Sequence, residues 1–189
     1  MSARRLAPAG ALFCAALLAA GCSLDYAATE TGEASMENIP DTVAVNILHR
    51  VHRDGRLSLQ VEASRAETYN TRRETILSDA RFIEYDAAGG VATEGAAKNV
   101  TYNSDSENAQ VSGSVRAHSA REKAGVEAQT LSWENKARML TAPPGDTVVL
   151  RKDDGSSISG TGFSGDLRAR RMVFAGPVEG TYVWEDTGE

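Results

Sequence analysis

Cysteine is nearly absent from this chain. The 189 residues contain two cysteines, Cys14 and Cys22, and both lie close to the N-terminus. The rest of the chain therefore has no disulfide and no zinc site built from cysteines, so it must be stabilised by packing. Aromatic residues make up only 6% of the sequence. An apolar interior must therefore come mainly from Val, Ile, Leu and Ala.

Positive charge is also scarce. The chain has 20 Lys and Arg against 26 Asp and Glu, which gives a formal net charge of −6. Two of the basic residues, Arg4 and Arg5, belong to the N-terminal segment, so the remainder is more acidic still. A nucleic-acid-binding protein needs a basic face. We therefore predict that nucleic acid is not a partner.

Catalytic motifs are missing as well. His49 and His52 are three residues apart, a spacing that places them on opposite faces of a strand, and His118 stands alone. No serine lies in a Gly-x-Ser-x-Gly sequence, and Asp153–Gly155 is typical of a turn. Gly160–Gly165 is rich in glycine, but no strand-to-helix switch follows it, as a nucleotide-binding loop would require. We predict no enzymatic activity, no cofactor and no metal site.

The N-terminal segment has the three-part layout of a secretory signal. Arg4 and Arg5 form a basic start, and Ala9–Ala20 is a largely apolar run without charge. This run is shorter than the roughly 20 residues that a membrane-spanning helix needs. We predict a signal peptide over residues 1–21.

Small residues stand directly before Cys22, as in the lipobox of bacterial lipoproteins. We therefore predict acylation at Cys22, with palmitate among the attached chains. More than one acyl chain is needed for stable membrane anchoring. Residues 22–41 contain few large apolar side chains, so they are predicted to be a lipidated N-terminus followed by a flexible tether.

From Thr42 onward, apolar residues alternate with polar ones. Asp54-Gly55 separates two alternating runs, which is a strong hairpin signal. Similar short runs, separated by Gly, Asp, Asn and Ser, continue to Trp184, and no amphipathic helix is recognisable. We predict an all-β domain over residues 42–185 that is built from stacked short strands. The predicted strands include Thr75–Tyr85, Val91–Glu94, Asn99–Tyr102 and Val178–Trp184.

A short motif occurs twice between Asp79 and Asp105. The motif is Ala-x-x-apolar-x-Tyr followed by Asp or Asn, where x is any residue. The copies are Ala80, Ile83, Tyr85 and Asp86, then Ala97, Val100, Tyr102 and Asn103, with a further match at Ala128, Leu131 and Trp133. The aromatic positions recur about every 16 residues, which predicts stacked units of strand, turn, strand and turn. Such a stack has open edges and an apolar interior.

The order of these motifs resembles the LptC family of lipopolysaccharide export, within the LptA/LptC/OstA-like β-jellyroll group. The residues that carry the resemblance are DGRLSLQVEA at Asp54–Ala63, TILSDARFIEYD at Thr75–Asp86, and the late Gly160–Phe163 followed by Asp166-Leu167. The resemblance extends from Thr42 to Trp184. It implies a twisted, open antiparallel β-jellyroll whose interior holds the acyl chains of lipid A.

The resemblance also implies a function. Such a protein would be a non-enzymatic periplasmic bridge component in cell envelope biogenesis. It would receive lipopolysaccharide, or a related glycolipid, from an inner-membrane ABC transporter of the LptB/LptF/LptG type and pass it to an LptA-like bridge protein. The candidate lipid-binding residues of the interior are Val61, Leu77, Phe82, Ile83, Tyr85, Val100, Leu131 and Phe163. The implied partner edge strand contains Val178, Thr181, Tyr182, Val183 and Trp184.

The chain departs from the family pattern in its anchor. Typical members keep a transmembrane helix, whereas this chain has a lipobox-like Cys22. We expect a lipoprotein on the periplasmic side of the inner membrane, although Ser23 would favour the outer membrane under the enteric sorting rule. Two alternatives stay open. One is a surface or periplasmic β-repeat lipoprotein with a filled core and an adhesion or scaffold role, and the other is a soluble LptA-like protein.

Overall fold

Antiparallel strands make up the part of the protein that our computed structural model describes, residues 38–184. The strands are β1 (Thr42–Arg53), β2 (Arg56–Tyr69), β3 (Glu74–Tyr85), β4 (Val91–Asn103), β5 (Ala109–Ser119), β6 (Ala124–Glu134), β7 (Met139–Thr141), β8 (Val148–Lys152), β9 (Ser157–Gly160), β10 (Phe163–Asp166), β11 (Arg171–Phe174) and β12 (Val178–Thr181). The prediction of an all-β fold is confirmed. The predicted signal peptide and Cys22 lie outside the described residues. Within those residues, no helix has the length and apolar character needed to span a membrane.

The first strands are longer than the sequence predicted. β1 to β6 contain between 11 and 14 residues each. The two short strands predicted at Val91–Glu94 and Asn99–Tyr102 are parts of the single strand β4. The predicted strand Val178–Trp184 is shorter, since β12 ends at Thr181. One period of the aromatic repeat therefore corresponds to one strand and one turn, and not to the two strands and two turns that the sequence predicted.

The sheet divides at β6. β1 to β6 are neighbours in sequence order, and each pair is antiparallel. The first half of β6 pairs with β8, and its last residues, Ser132–Glu134, pair with β7. β7 continues to β10 and β11, whereas β8 continues to β9 and β12. Two separate sheet extensions therefore start from the same edge of β6.

Each long strand changes the face that it presents to the interior near its middle. In a regular strand, residues on one face are two or four positions apart. Ala97 and Val100 nevertheless both belong to the same packed core, as do Ala128 and Leu131, although each pair is three positions apart. The register of β4 against β5 shifts at this same place, between Ala96 and Asn99. The irregular spacing explains why β4 looked like two strands in the sequence.

Residues with left-handed backbone conformation mark the change of face in alternate strands. Asn46 in β1 has φ 51°, Asp79 in β3 has φ 49°, and Gly113 and Ser114 in β5 have φ 81° and 54°. A left-handed residue inside a strand is typical of a β-bulge, which bends the strand and increases its twist. At Gly113, an added Cβ would lie only 2.6 Å from the Cβ of Lys98. We call the line of these residues across the sheet the crease.

The crease separates two leaves of the sheet. Leaf A contains Arg65–Tyr69, Glu74–Ser78, Asn99–Asn103, Ala109–Ser112 and Thr130–Glu134, together with β7, β10 and β11. Leaf B contains Leu59–Ala63, Ala80–Glu84, Thr93–Ala97, Val115–Ser119 and Ala124–Ala128, together with β8, β9 and β12. The core combines Leu140 and Phe174 from leaf A with Val126 and Leu150 from leaf B. The leaves therefore pack face to face, as in a folded β-jellyroll.

The interior is packed unevenly along the sheet. Leu131, Val148 and Phe163 are at most 2% exposed, and they form the centre of a core that extends from β4 to β11. By contrast, the inward-facing Ile47 and Val61 of β1 and β2 are only half-buried. The residues of β2 and β3 that are fully buried near the crease are small alanines, such as Ala63 and Ala80. The interior is therefore filled toward β11 and more open toward β1.

This difference in packing predicts that truncating a side chain to alanine lowers stability more in the core than beside β2. Leu131→Ala should lower the free energy of unfolding by about 2–5 kcal/mol, because it leaves a cavity in a packed core. Val61→Ala should cost clearly less, since Val61 is half-buried and its neighbours already contact solvent. Chemical denaturation of both variants measures the difference. Equal losses would show that the interior beside β2 is packed as tightly as the core.

Candidate functional site: the apolar interior and its edges

The open part of the interior is lined by cross-strand partners from leaf B. Val61 on β2 pairs with Phe82 on β3, and Phe82 pairs in turn with Gly95 on β4. Paired residues of an antiparallel sheet point to the same face. A Cβ at Gly95 would collide with the Phe82 ring, so the glycine leaves room for the ring to lie against β4. Val61 and Phe82 therefore form one apolar wall.

Leaf A supplies the facing wall. Leu77 on β3 pairs with Ala66 on β2 and with Val100 on β4, which packs against the core. Ala66 is buried, and Leu77 is half-buried. Ile47 on β1 pairs with Ala63 of leaf B and extends the wall of Val61 and Phe82 toward the sheet edge. Leu77 thus belongs with Val61 and Phe82 to the open part of the interior.

Ile83 does not face the interior. It pairs with Gln60 and Glu94, whereas the inward-facing Phe82 pairs with Val61. Because successive side chains of a strand point to opposite faces, Phe82 and Ile83 cannot both line one cavity. The sequence prediction placed both in the lining, and the strand register removes Ile83 from it.

The remaining predicted lining residues lie in two places. Leu131 and Phe163 are buried in the packed core, and Val100 packs against that core. Tyr85 is the last residue of β3 and pairs with Val91 after a shift of register. Sequence reasoning did not include Ile47 or the crease alanines. In the sequence, the crease alanines are marked by a spacing of three residues between inward-facing positions. This spacing looks like the end of a strand.

The two copies of the repeated motif also differ in the faces that their residues occupy. β3 and β4 run in opposite directions, and Ala80 pairs directly with Ala97. Beyond Ala97, the motif continues across the crease into leaf A, whereas beyond Ala80 it continues into leaf B. Ile83 therefore faces outward while Val100 faces the core. The shared feature of the copies is an alanine at the crease.

Three strands have only one neighbour among the described residues. β1 pairs with β2, β11 pairs with β10, and β12 pairs with β9. The free edges of these strands present unpaired backbone groups, which can accept a further strand. β1 also carries exposed outward-facing apolar residues, Val43, Val45 and Leu48. Edges therefore exist at both ends of the sheet.

The predicted partner edge lies at the end of leaf B. Val178 and Thr181 belong to β12, and Tyr182 to Trp184 follow without regular secondary structure. Tyr182 is 72% exposed and Trp184 is 77% exposed, with ring centroids 6.0 Å apart. The segment after β12 therefore presents two neighbouring aromatic rings to solvent.

A buried serine holds this segment to the rest of leaf B. The backbone N–H of Val183 donates to Ser156 Oγ at 3.0 Å, and the N–H of Ser156 donates to Asp154 Oδ1 at 2.7 Å. Ser156 is the buried polar residue of the described part of the chain, at 7% exposure. The backbone N–H of Ser156, followed by its hydroxyl, lowers the pKa of Asp154 below its ordinary value.

The outward faces carry two open depressions. One, of about 660 Å³, crosses leaf B, and its lining combines Gln60 and Glu62 of β2 with Phe82, Gly95 and Val126. The other, of about 430 Å³, lies on leaf A beside Thr101 and Ser132. The walls on leaf B carry both acidic and basic residues, and Glu127 lies 3.9 Å from Arg151. The depression on leaf B therefore shares Phe82 and Val126 with the apolar interior, whereas the depression on leaf A contains none of the predicted lining residues.

Polar contacts on the outward face of leaf A are local. Arg65 Nε donates to Glu67 at 2.8 Å, and Tyr69 Oη donates to the same carboxylate at 3.0 Å. The Arg65 bond, followed by the Tyr69 bond, lowers the pKa of Glu67, while burial and then Glu67 raise the pKa of Tyr69. The guanidinium of Arg72 covers the Tyr69 ring at 4.0 Å. Residues 38–184 contain no cluster of His, Cys, Asp and Glu suited to a metal ion.

Comparison with known proteins identifies the family. A family model described as lipopolysaccharide-assembly, LptC-related matches residues 10–183. The chain belongs to this LptC-related family. The resemblance inferred from the sequence is therefore confirmed. The family is periplasmic and consists of lipopolysaccharide transport components rather than known enzymes, which supports a role of this chain in that transport.

Solved structures of similar fold include a component of lipopolysaccharide transport. LptH of Pseudomonas aeruginosa, described as the LptA-homologous periplasmic component of the lipopolysaccharide transport device, superposes with a TM-score of 0.49 at 13% identity. The match covers 66% of this chain and 94% of the LptH chain. A search of curated proteins gave no significant match.

The Asp154–Ser156 contact predicts a pH-dependent contribution to stability. Because the pKa of Asp154 is lower in the folded state, its contribution is present above the ordinary aspartate pKa and is lost as pH falls through the lowered value. Asp154→Asn should therefore lower the free energy of unfolding at neutral pH, and the deficit should shrink on acidification. Denaturation curves over a pH series measure it. Asp146→Asn, in the loop before β8, is the control because Asp146 does not contact Ser156, whereas Asp153 contacts His118. A deficit independent of pH would contradict the prediction.

Proposed function

We propose that this protein is a non-enzymatic bridge component of lipopolysaccharide export. In this proposal it receives lipopolysaccharide, or a related glycolipid, from an inner-membrane ABC transporter of the LptB/LptF/LptG type. It then passes the glycolipid to an LptA-like bridge protein. The observation that carries the proposal is membership of the LptC-related family over residues 10–183. The folded sheet with an apolar interior that is open toward β1 supports it.

The interior would hold acyl chains without covalent chemistry. Val61 and Phe82 from leaf B and Leu77 from leaf A present half-buried apolar side chains to the same space. Covering such surface with an acyl chain gains about 25 cal/mol per Å² removed from water. Binding and release would then depend on apolar burial alone.

The C-terminal edge would receive the next bridge protein. β12 has a free edge, and an incoming strand could pair with it in the same way as β9 does on its other side. The exposed Tyr182 and Trp184 would add apolar contact next to that edge, because aromatic residues are enriched in protein interfaces. Val178, Thr181 and Val183 complete the proposed contact segment.

The anchor would be a lipid on Cys22. Residues Ala19–Gly21 before Cys22 are small, as signal cleavage requires. In this proposal residues 1–21 are removed, acyl chains on Cys22 enter the membrane, and the tether that follows extends to the domain of residues 42–185. We place the anchor in the inner membrane, next to the proposed transporter. Anchoring in the outer membrane is the alternative that Ser23 would favour.

Cys22→Ala tests the anchor. The variant should move from the membrane fraction to the soluble periplasmic fraction, because it can no longer be acylated. Fractionation of cells and immunodetection of the full-length chain give the measurement. Ser23→Ala is a control that keeps the cysteine. Unchanged membrane retention of Cys22→Ala would show that lipidation at Cys22 does not hold the protein in the membrane. Recovery of the unmodified protein in the soluble periplasmic fraction would instead favour the soluble LptA-like alternative.

Photo-crosslinking tests the cargo. A photoreactive amino acid at Phe82 should capture lipopolysaccharide in cells, because Phe82 faces the open interior. The same amino acid at Ile83 is a matched control, since this neighbouring residue faces outward. Capture at Phe82 well above capture at Ile83 is the expected result. Absence of lipopolysaccharide at Phe82 and at Val61 would refute transport through the interior.

The filled part of the core favours a second candidate function. Leu131, Val148 and Phe163 are packed like residues of an ordinary β-sandwich. A β-repeat lipoprotein with an adhesion or scaffold role would need such a core and no cargo. Equal or absent capture at Phe82 and Ile83, together with an intact fold, would support this alternative.

A further inference from the structure

A pair of phenylalanines spans the space between the leaves. Phe163 on β10 and Phe174 on β11 are cross-strand partners of leaf A, with ring centroids 5.4 Å apart at an angle of 53°. Phe163 is buried at 2% exposure beside the fully buried Val148 of leaf B, and Phe174 packs against the same core. Their rings therefore occupy the interior at this point.

Gly160 on leaf B allows this close approach. A Cβ at Gly160 would lie 3.0 Å from Phe174 Cδ1, 2.8 Å from Val178 Cγ1 and 2.9 Å from the carbonyl oxygen of Pro177. These distances are shorter than ordinary van der Waals contact, so any larger residue would push Phe174 away. The glycine thus lets the ring from leaf A reach the backbone of leaf B and close the gap.

Apolar surface faces inward on both sides of the two rings. On the β1 side, Val61 and Phe82 are half-buried. On the β12 side, Ile158 and Val178 share the face of the core residues Leu150 and Val148, with which they form rows across β8, β9 and β12. Ile158 is nevertheless 38% exposed and Val178 is 50% exposed. The apolar lining is therefore interrupted by a filled section and resumes next to the free edge.

We propose that Phe163 and Phe174 form a partition that confines acyl chains to the β1 side until Phe174 moves aside. This inference rests on the proposed function, because it concerns the path of the same cargo. Phe174 is the movable member of the pair. It lies on β11, which within residues 38–184 pairs with β10 alone, over four residue pairs, whereas β10 pairs with β7 as well as β11. The partition determines whether cargo reaches the β12 edge.

Crosslinking on the two sides of the partition tests this. A photoreactive amino acid is placed at Val61 or at Ile158 in the purified full-length chain, which is then incubated with purified lipopolysaccharide without transporter or bridge protein. We expect capture at Val61 and background capture at Ile158. With Phe174→Ala added, capture at Ile158 should rise to the level found at Val61. Val173→Ala on the same strand is the matched control and should leave both yields unchanged.

The outcomes separate the partition from the transport function. Absence of capture at both positions in every variant would reject the proposed function itself. Capture at both positions in the unmodified protein would reject the partition and leave the function standing. Capture at Val61 without a rise at Ile158 in a folded Phe174→Ala variant would also reject it. If Phe174→Ala does not unfold cooperatively in a melting experiment, Phe174→Val, which keeps a residue suited to strands, replaces it.

Discussion

Strand pairing forces neighbouring strands to change face at the same place, and this constraint shapes the whole domain. Paired residues lie on the same face of the sheet. If one strand placed its apolar residues on the opposite face from those of its neighbour, part of this apolar surface would be exposed to solvent. Asp79 and Ser114 provide left-handed positions in β3 and β5, and β4 between them follows with a three-residue step from Ala97 to Val100. The result is a continuous crease and two leaves that face each other.

The crease also decides where the interior can be filled. Small residues at the crease bring the leaves together at their junction, while the size of the residues farther out decides how far apart the leaves stay. From β4 to β11, Leu131, Val148 and Phe163 fill this space. Toward β1, the sheet has no strand beyond its edge among the described residues, so the inward side chains there remain partly exposed. The same fold thus combines a packed core with an open apolar surface.

This combination suits a protein that transports a lipid without chemical change. The packed section maintains the distance between the leaves, and the open section provides apolar surface. The acidic and basic residues of leaf B and the ion pairs of leaf A are on the outward faces, where they keep the exterior soluble. No step of the proposed transport requires a nucleophile, a metal or a cofactor. The family membership and the physical character of the interior therefore lead to the same class of function.

The sequence alone determined the fold class, the family and several turns. Alternating apolar residues, the hairpin at Asp54-Gly55 and the order of degenerate motifs are local signals, and they survive without knowledge of contacts. Strand lengths were not accessible, because the three-residue step at Ala97 resembles a turn when it is read along the chain. The sequence also could not decide which of Phe82 and Ile83 faces the interior, because this depends on the register of the strands. Only the tertiary structure decided which apolar residues fill the core and which line open space, because burial depends on the opposite leaf, whose residues are distant in sequence.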